Sequence, residues 1–377
     1  MNTDMQVRSG LEGVVAARTA LSCVDGEAGE LTIAGFPLEE LAPCATFEQT
    51  AWLLWMDDLP DADELAGFRA RLAARRELPE ATLMLLRRVA GAGLPAMDAL
   101  RIAVGTLDID GSEGGDDLEK GIMITARFPT LVAAYHRLRN GGEPVAPRGD
   151  LGHAANYLHM ITGSEPAPAQ VRALETYLNT VVDHGLNAST FTARVIISTG
   201  SDLVSAVVGA VGALKGPLHG GAPGPALDMV FEIGSEERID AWLREKVAAG
   251  ERLMGFGHRV YKVRDPRADV LAAASDVLYG EEGDRNLYEF ARKVEERALA
   301  ILEEMKPGRR LQTNVEFYTA LLLHGLGLPV DLFTPTFAVS RVAGWIAHAL
   351  EQRRTGRLIR PQSEYVGATG RRWNGMR

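Results

Sequence analysis

The chain has 377 residues, 46% hydrophobic and 24% charged, a balance that argues against wholesale disorder and allows a sizeable core in one large domain or two unequal ones. Forty basic residues against fifty acidic ones leave a formal charge of −10, with no Lys/Arg run long enough to track a phosphate backbone, so nucleic acid is a poor candidate partner. An anionic substrate would need positive side chains gathered in one pocket, which makes the placement of each arginine informative.

The first thirteen residues contain no apolar stretch of the secretory kind, and the expectation is a cytoplasmic protein. Two β-prone runs within Thr19–Phe36 flank Asp25–Gly29 and predict a small hairpin. Very little else reads as strand. Cys23 and Cys44 are the only cysteines; without CxxC or zinc spacing they suggest a reducing compartment and are expected as small buried apolar residues. Thr46 with Gln49 predicts a capping box ahead of AWLLWM, and Pro60 and Pro79 sit where helices should begin. Apolar residues recur at three- and four-residue spacing over 64–76 and 80–90, the mark of packing helices. The Gly-, Pro- and Asp-rich stretches 111–117 and 141–150 read as surface loops. LVSAVVGAVGAL, between Asp202 and Lys215, falls short of the roughly 20 residues that span a bilayer and reads as a buried helix closely approached by another. A charge-rich helical block from about 236 to 305 suggests a smaller, more exposed lobe, with a cleft beside it as a natural site. The fold class is mainly α.

Three of the eight histidines stand in unusual local sequence: His184 in Asp-His-Gly, His219 in Gly-Pro-Leu-His-Gly-Gly and His258 in Gly-Phe-Gly-His-Arg. Glycine next to a polar residue lets a ligand approach the backbone. His136, His153, His159, His324 and His348 lie in helix-like contexts and read as structural or surface residues. His348 and Glu351 could share a helical face, but two ligands make a weak metal signal, and no metal is expected. Asp265-Pro266 should present Arg267 at a helix start, Arg341 interrupts an apolar run, and Arg360 precedes Pro361. Arg341 could pair with an internal carboxylate or with a substrate anion. Histidines and arginines converging without a metal or a cysteine nucleophile suit an oxygen-rich anion whose carbonyl is polarised, and Glu316 is then a candidate general base.

Five blocks in this order, GPLHGGA, GFGHRVYKVRDPRA, NVEFYTA, FAVSRVAGWIAH and RPQSEYVG, resemble the signature blocks of the citrate synthase family, and GLEGVVAARTALSCVDGEAGEL resembles the N-terminal region of its shorter bacterial and archaeal members. The resemblance spans nearly the whole chain. It implies an all-α, two-domain homodimeric enzyme, with a large domain of residues 1–219 and 323–377 and a mobile small domain inserted at 220–322. By the same resemblance, His219 polarises the thioester of acetyl-CoA, Glu316 removes a methyl proton, and His258 protonates the carbonyl oxygen of oxaloacetate, after which citryl-CoA is hydrolysed. His184, Arg267, Arg341 and Arg360 would hold oxaloacetate, Arg360 reaching in from the other subunit. CoA, a cosubstrate and not a permanently bound cofactor, would lie against Gly255, Phe256 and Gly257, with Arg259, Lys262 and Lys306 as phosphate partners. Propionyl-CoA, giving 2-methylcitrate, is the close alternative, and a CoA- or dicarboxylate-binding subunit without turnover is a more distant one. Two departures stand out. Relatives usually carry Asp where this chain has Glu316, and commonly an Arg-Gly-Tyr or Arg-Gly-His sequence where it has Ile33-Ala34-Gly35-Phe36, which reads as peripheral.

Overall fold

The computed structural model describes residues 8–109, 111, 116–220, 223–258, 260, 261 and 263–373. Three short strands come first, β1 (Ser22–Asp25), β2 (Glu30–Ile33) and β3 (Phe36–Pro37), forming an antiparallel sheet in that order. Ser22 pairs with Ile33 and Asp25 with Glu30, which is the expected hairpin. The Asp25 carboxylate accepts from the amides of Glu27 and Ala28 and shapes its turn. Ala34 and Gly35 turn the chain into β3 with both φ angles positive, the backbone twist that suits a two-residue hairpin.

Both cysteines are exposed, contrary to the expectation of burial. Side chains alternate along β1, so Ser22 and Val24 are half-buried while Cys23 faces outward; Cys44 lies in a turn.

Sixteen α-helices follow among the described residues: α1 (Leu38–Leu41), α2 (Phe47–Met56), α3 (Ala62–Ala73), α4 (Glu80–Gly91), α5 (Ala96–Val104), α6 (Asp117–Arg139), α7 (His153–Thr162), α8 (Pro168–Val181), α9 (Ala188–Ile197), α10 (Leu203–Leu214), α11 (Pro223–Ile233), α12 (Ile239–Ala248), α13 (Pro266–Glu281), α14 (Arg285–Met305), α15 (Val315–Gly325) and α16 (Phe333–Thr355). Thr46 and Gln49 cap α2 reciprocally, and Pro79 is the N-cap of α4. Helix α3 stops at Ala73 and does not continue to Arg76, because Arg76 turns inward and donates to the carbonyl of Arg148.

Helix α16 is buried on all sides from Phe333 nearly to its end and packs against α2, α5, α6, α8, α9 and α10. A helix so enclosed is the axis of a core. Helix α10 lies against α9 as its small residues suggest: a Cβ on Gly209 would sit 2.2 Å from Ile196 Cδ1. Helix α13 contacts α8 on one side and α14 and α15 on the other, joining the α16-centred core to the charge-rich set α11–α15. No helix among the described residues is long and apolar enough to cross a membrane.

Candidate active site

A cavity of about 670 Å3 collects side chains from segments far apart in sequence. The turn between α8 and α9 supplies His184, and the turn after α10 supplies His219. The segment between α12 and α13 supplies Gly255, Phe256, Gly257 and His258. Arg267 comes from the first turn of α13, Glu316 from the first turn of α15, and Arg341 from the middle of α16. Arg360 and Lys306 do not line it: Arg360 is exposed on the segment after α16, and Lys306 is the C-cap of α14. Arg259 and Lys262 lie outside the described residues. The Ile33–Phe36 turn takes no part in the lining either.

The glycines of the Gly-Phe-Gly segment have a local cause. Gly255 and Gly257 adopt φ of 86° and 81°, and a Cβ on either would meet Phe317 or Leu311 at 2.9 Å. This backbone pairs with the approach to α15: Gly257 N donates to Gln312 O at 2.7 Å, Asn314 N to Gly255 O at 2.9 Å, and Asn314 Nδ2 to Gly257 O at 2.8 Å. Asn314 also caps α15, accepting from Glu316 N at 3.0 Å. Beneath them the buried carboxylate of Glu295 accepts from Thr313 Oγ1 at 2.7 Å, from Arg264 Nη1 at 2.8 Å and from the Tyr318 hydroxyl. One carboxylate thus ties the segment carrying His258 to the helix carrying Glu316.

Burial pushes the Glu316 carboxyl up to about 7; Arg267 draws it down and Asp265 adds to the rise. Burial lowers His219 to about 4, helped by Arg341, so its imidazole is neutral at pH 7. Burial, then Arg267, Arg341 and His258, hold His184 well below the ordinary histidine value; its Nε2 lies 3.1 Å from the Tyr261 hydroxyl. Nδ1 of His258 accepts from the amides of Val260 and Tyr261, each at 3.1 Å, which assigns the ring proton to Nε2. That atom is 3.3 Å from Nη2 of Arg267.

The arginines differ in their partners. Arg267 is gripped by Asp265, Nε to Oδ1 at 3.0 Å and Nη2 to Oδ2 at 2.8 Å. Arg341 is 1% exposed, donates to Val181 O at 2.6 Å and lies over the Phe337 ring, 4.8 Å from its centroid. No carboxylate among the described residues is within ion-pair distance of it; burial lowers it to about 10, against the opposing charge of Asp183 nearby and with the help of Arg267. Arg267 has a direct carboxylate partner, whereas for Arg341 the internal carboxylate is Asp183, close enough to act on it by charge but not paired with it.

Sequence reasoning did not single out Ser22, Tyr261, Asp265 as the clamp on Arg267, or Arg252 at the cavity mouth. Tyr261 and Asp265 do sit inside the VYKVRDPRA stretch, the one available signal. A second cavity of about 640 Å3, between α1, α8 and α13, is lined mainly by Ala, Val and Pro and includes none of the expected catalytic residues. Among the described residues no group of three or more His, Cys, Asp or Glu is placed to hold a metal ion.

The site can take up an anion on buried arginine, donate protons from two imidazoles and accept one at a carboxylate. Residues 10–362 match the citrate synthase C-terminal domain. The chain belongs to the citrate synthase family. A citrate synthase of Haloferax volcanii is 43% identical over 371 residues, which covers 96% of each chain. A 2-methylcitrate synthase of Mycobacterium tuberculosis is 40% identical, over 96% of this chain and 91% of its own. The crystal structure of citrate synthase from Pyrobaculum aerophilum superposes with a TM-score of 0.89 at 36% identity, covering 98% of this chain and 95% of that one. The Thermoplasma acidophilum enzyme, solved as a ternary complex with carboxymethyl coenzyme A and oxaloacetate, gives 0.88 at 28% identity, covering 98% and 99%. The chain is an acyl-transferring enzyme with the all-α citrate synthase fold.

Proposed function

We propose that the protein condenses acetyl-CoA with oxaloacetate and hydrolyses the resulting citryl-CoA to citrate and CoA. The observation that carries this reading is Arg341, a wholly buried cation facing the cavity that touches a carbonyl and a ring but is paired with no carboxylate among the described residues. A substrate carboxylate supplies the missing charge. Arg267 and His184 complete the grip on oxaloacetate, and Arg360 of a second subunit closes it. Glu316 takes a methyl proton from the acyl group while neutral His219 donates a hydrogen bond to the thioester oxygen. A methyl proton beside a thioester is only weakly acidic, so the developing oxyanion must be stabilised as the proton leaves. The enol carbon then attacks the oxaloacetate carbonyl, whose oxygen takes the proton on Nε2 of His258. A base poised near neutral pH suits this step.

CoA lies along Gly255–Gly257, and Arg252 at the mouth joins Arg259, Lys262 and Lys306 as a candidate for its phosphates. The residues 220–322 act as a small domain that closes over the substrates and excludes water, on a homodimer in the cytoplasm. Propionyl-CoA is the second acyl donor to consider, since the 2-methylcitrate synthase relative is nearly as similar as the citrate synthases. One methylene in an apolar pocket separates the two donors by only about 1–3 kcal/mol.

Thiol release by the purified protein with oxaloacetate and each acyl-CoA in turn tests the proposal. Oxaloacetate-dependent release of CoA, faster with acetyl-CoA, is the expected result. Release with neither donor overturns the synthase reading, and a kcat/KM favouring propionyl-CoA replaces it with the 2-methylcitrate reaction.

A further inference from the structure

The chemistry above makes no use of His348, which is wholly buried on α16 with a charged group at each ring nitrogen. Its Nδ1 lies 2.9 Å from Nη1 of Arg194, and its Nε2 lies 3.1 and 3.2 Å from the two carboxylate oxygens of Asp183. A guanidinium can only donate. Nδ1 is therefore the acceptor, and the ring proton sits on Nε2, directed at Asp183. Arg194 is held in turn by Glu351 Oε2 at 2.5 Å and Gln352 Oε1 at 3.1 Å. At the other end, Asp183 accepts from Ser22 Oγ at 2.5 Å, and Ser22 Oγ accepts from Gly185 N at 2.9 Å. The residue enclosed between Asp183 and Gly185 is His184.

We propose that Asp183, His348 and Arg194 form a buried positioning relay that holds His184 in the orientation that binds oxaloacetate. Burying Asp183, His348, Arg194 and Glu351 together is a costly way to pack α16 against α9, where apolar side chains of similar volume would serve as well or better. What an apolar contact cannot do is fix a turn by directional bonds on both sides of one residue. The chain of donors has a single sense, from Arg194 through His348 to Asp183, with Ser22 and Gly185 meeting it from the opposite side. The inference rests on the reading of His184 as an oxaloacetate-binding residue.

The test measures the oxaloacetate KM in H184A, H348L, H348Q and the double variant H184A/H348L. H184A raises it, and H348L raises it by about tenfold or more, as a displaced binding group does. H348Q can present a carbonyl to Arg194 and an amide N–H to Asp183, the same polarity as the imidazole, and keeps KM within about threefold of wild type. A relay acting only through His184 has nothing left to position once that ring is gone, so H348L on the H184A background changes KM by less than about twofold. If H348L does not fold, Ser22→Ala replaces it in the same comparison. An unchanged KM in H184A overturns the His184 reading and the relay with it. A raised KM in H184A combined with an unchanged KM in H348L, or an equal factor for H348L on both backgrounds, overturns the relay alone.

Discussion

The hydroxyl of Ser189 lies 2.8 Å from Nε2 of His219 and 2.8 Å from Oδ1 of Asn187. It has one proton for two acceptors. Trp345 Nε1 donates to the same hydroxyl oxygen at 3.0 Å, and Asn187 Oδ1 already accepts from Thr190 N at 3.1 Å. The proposed hydrogen bond from His219 to the thioester oxygen requires the serine proton on Nε2 of His219 and the ring proton on Nδ1, the nitrogen left for a substrate oxygen. Replacing Ser189 by alanine removes this control of the tautomer. The expected result is a fall in kcat of about tenfold to a hundredfold with the oxaloacetate KM within about twofold of wild type. Steady-state kinetics with both substrates varied will show it; an unchanged kcat would remove Ser189 from the mechanism.

Glu316 predicts a pH profile. With its carboxyl pushed up to about 7, the base is lost to protonation below that pH, so log kcat/KM falls with unit slope on the acid side and has its midpoint near 7. Stability moves in the opposite sense. The folded protein binds this proton more tightly than the unfolded chain, whose carboxyl has the ordinary value of 4.5, so the contribution is fully present below 4.5 and is lost as pH rises to about 7. Glu316→Gln carries no such charge. It abolishes turnover, leaves oxaloacetate binding intact, and is more stable than wild type above pH 7 by on the order of 1–3 kcal/mol. Denaturant titrations at pH 5.5 and pH 8 should find the gap wider at the higher pH, and an equal gap at both would mean that the carboxyl is not perturbed.

Much of this was legible along the chain because the signals are local. The Asp25–Gly29 hairpin, the Thr46–Gln49 capping box and α10 follow from turn chemistry, capping and apolar composition within a few residues. The cavity residues were legible where glycine or proline stood beside His219, His258 or Arg267. Partnerships between distant segments were not. His348 and Glu351 do share a face, as their spacing suggests, but what joins them is Arg194, 154 positions before His348. The pairing of Arg267 with Asp265, two residues away, was hidden for another reason: the same Asp-Pro-Arg run also reads as a helix start, which it is. Residue type alone puts Cys23 in the core, whereas side-chain alternation along β1 turns it outward.

Gly344 offers a test of how tightly α16 must lie under the His184 turn. A Cβ built there would sit 2.2 Å from the carbonyl oxygen of Val182 and 3.3 Å from Oδ1 of Asp183. A backbone carbonyl cannot swing aside as a side chain can, so Gly344→Ala forces α16 away from the turn. The expected cost is about 2–3 kcal/mol or more of stability, with a raised oxaloacetate KM in whatever enzyme folds. Chemical denaturation and kinetics on the soluble fraction measure both. Wild-type values in both would show that the helix and the turn can separate without consequence.

Arg360 is the expected site residue farthest from explanation within one chain. The segment that carries it leaves α16 under firm control: Gln352 Nε2 donates to Arg357 O at 3.0 Å, and Ile359 N donates to Ser198 Oγ at 3.0 Å. Beyond that anchor Arg360 is exposed, as are Tyr365, Val366 and Trp373, at 73%, 89% and 89%. If Arg360 completes the partner's cavity, each active site draws His258 from one chain and Arg360 from the other. Arg360→Ala and His258→Ala homodimers are then both impaired. A mixed dimer, however, contains one site with its own His258 and the other chain's Arg360. Refolding or coexpressing the two variants together at equal amounts should restore about a quarter of wild-type turnover, since half the dimers are mixed and each has one intact site. Activity no greater than the average of the two homodimers would place Arg360 outside the partner's site.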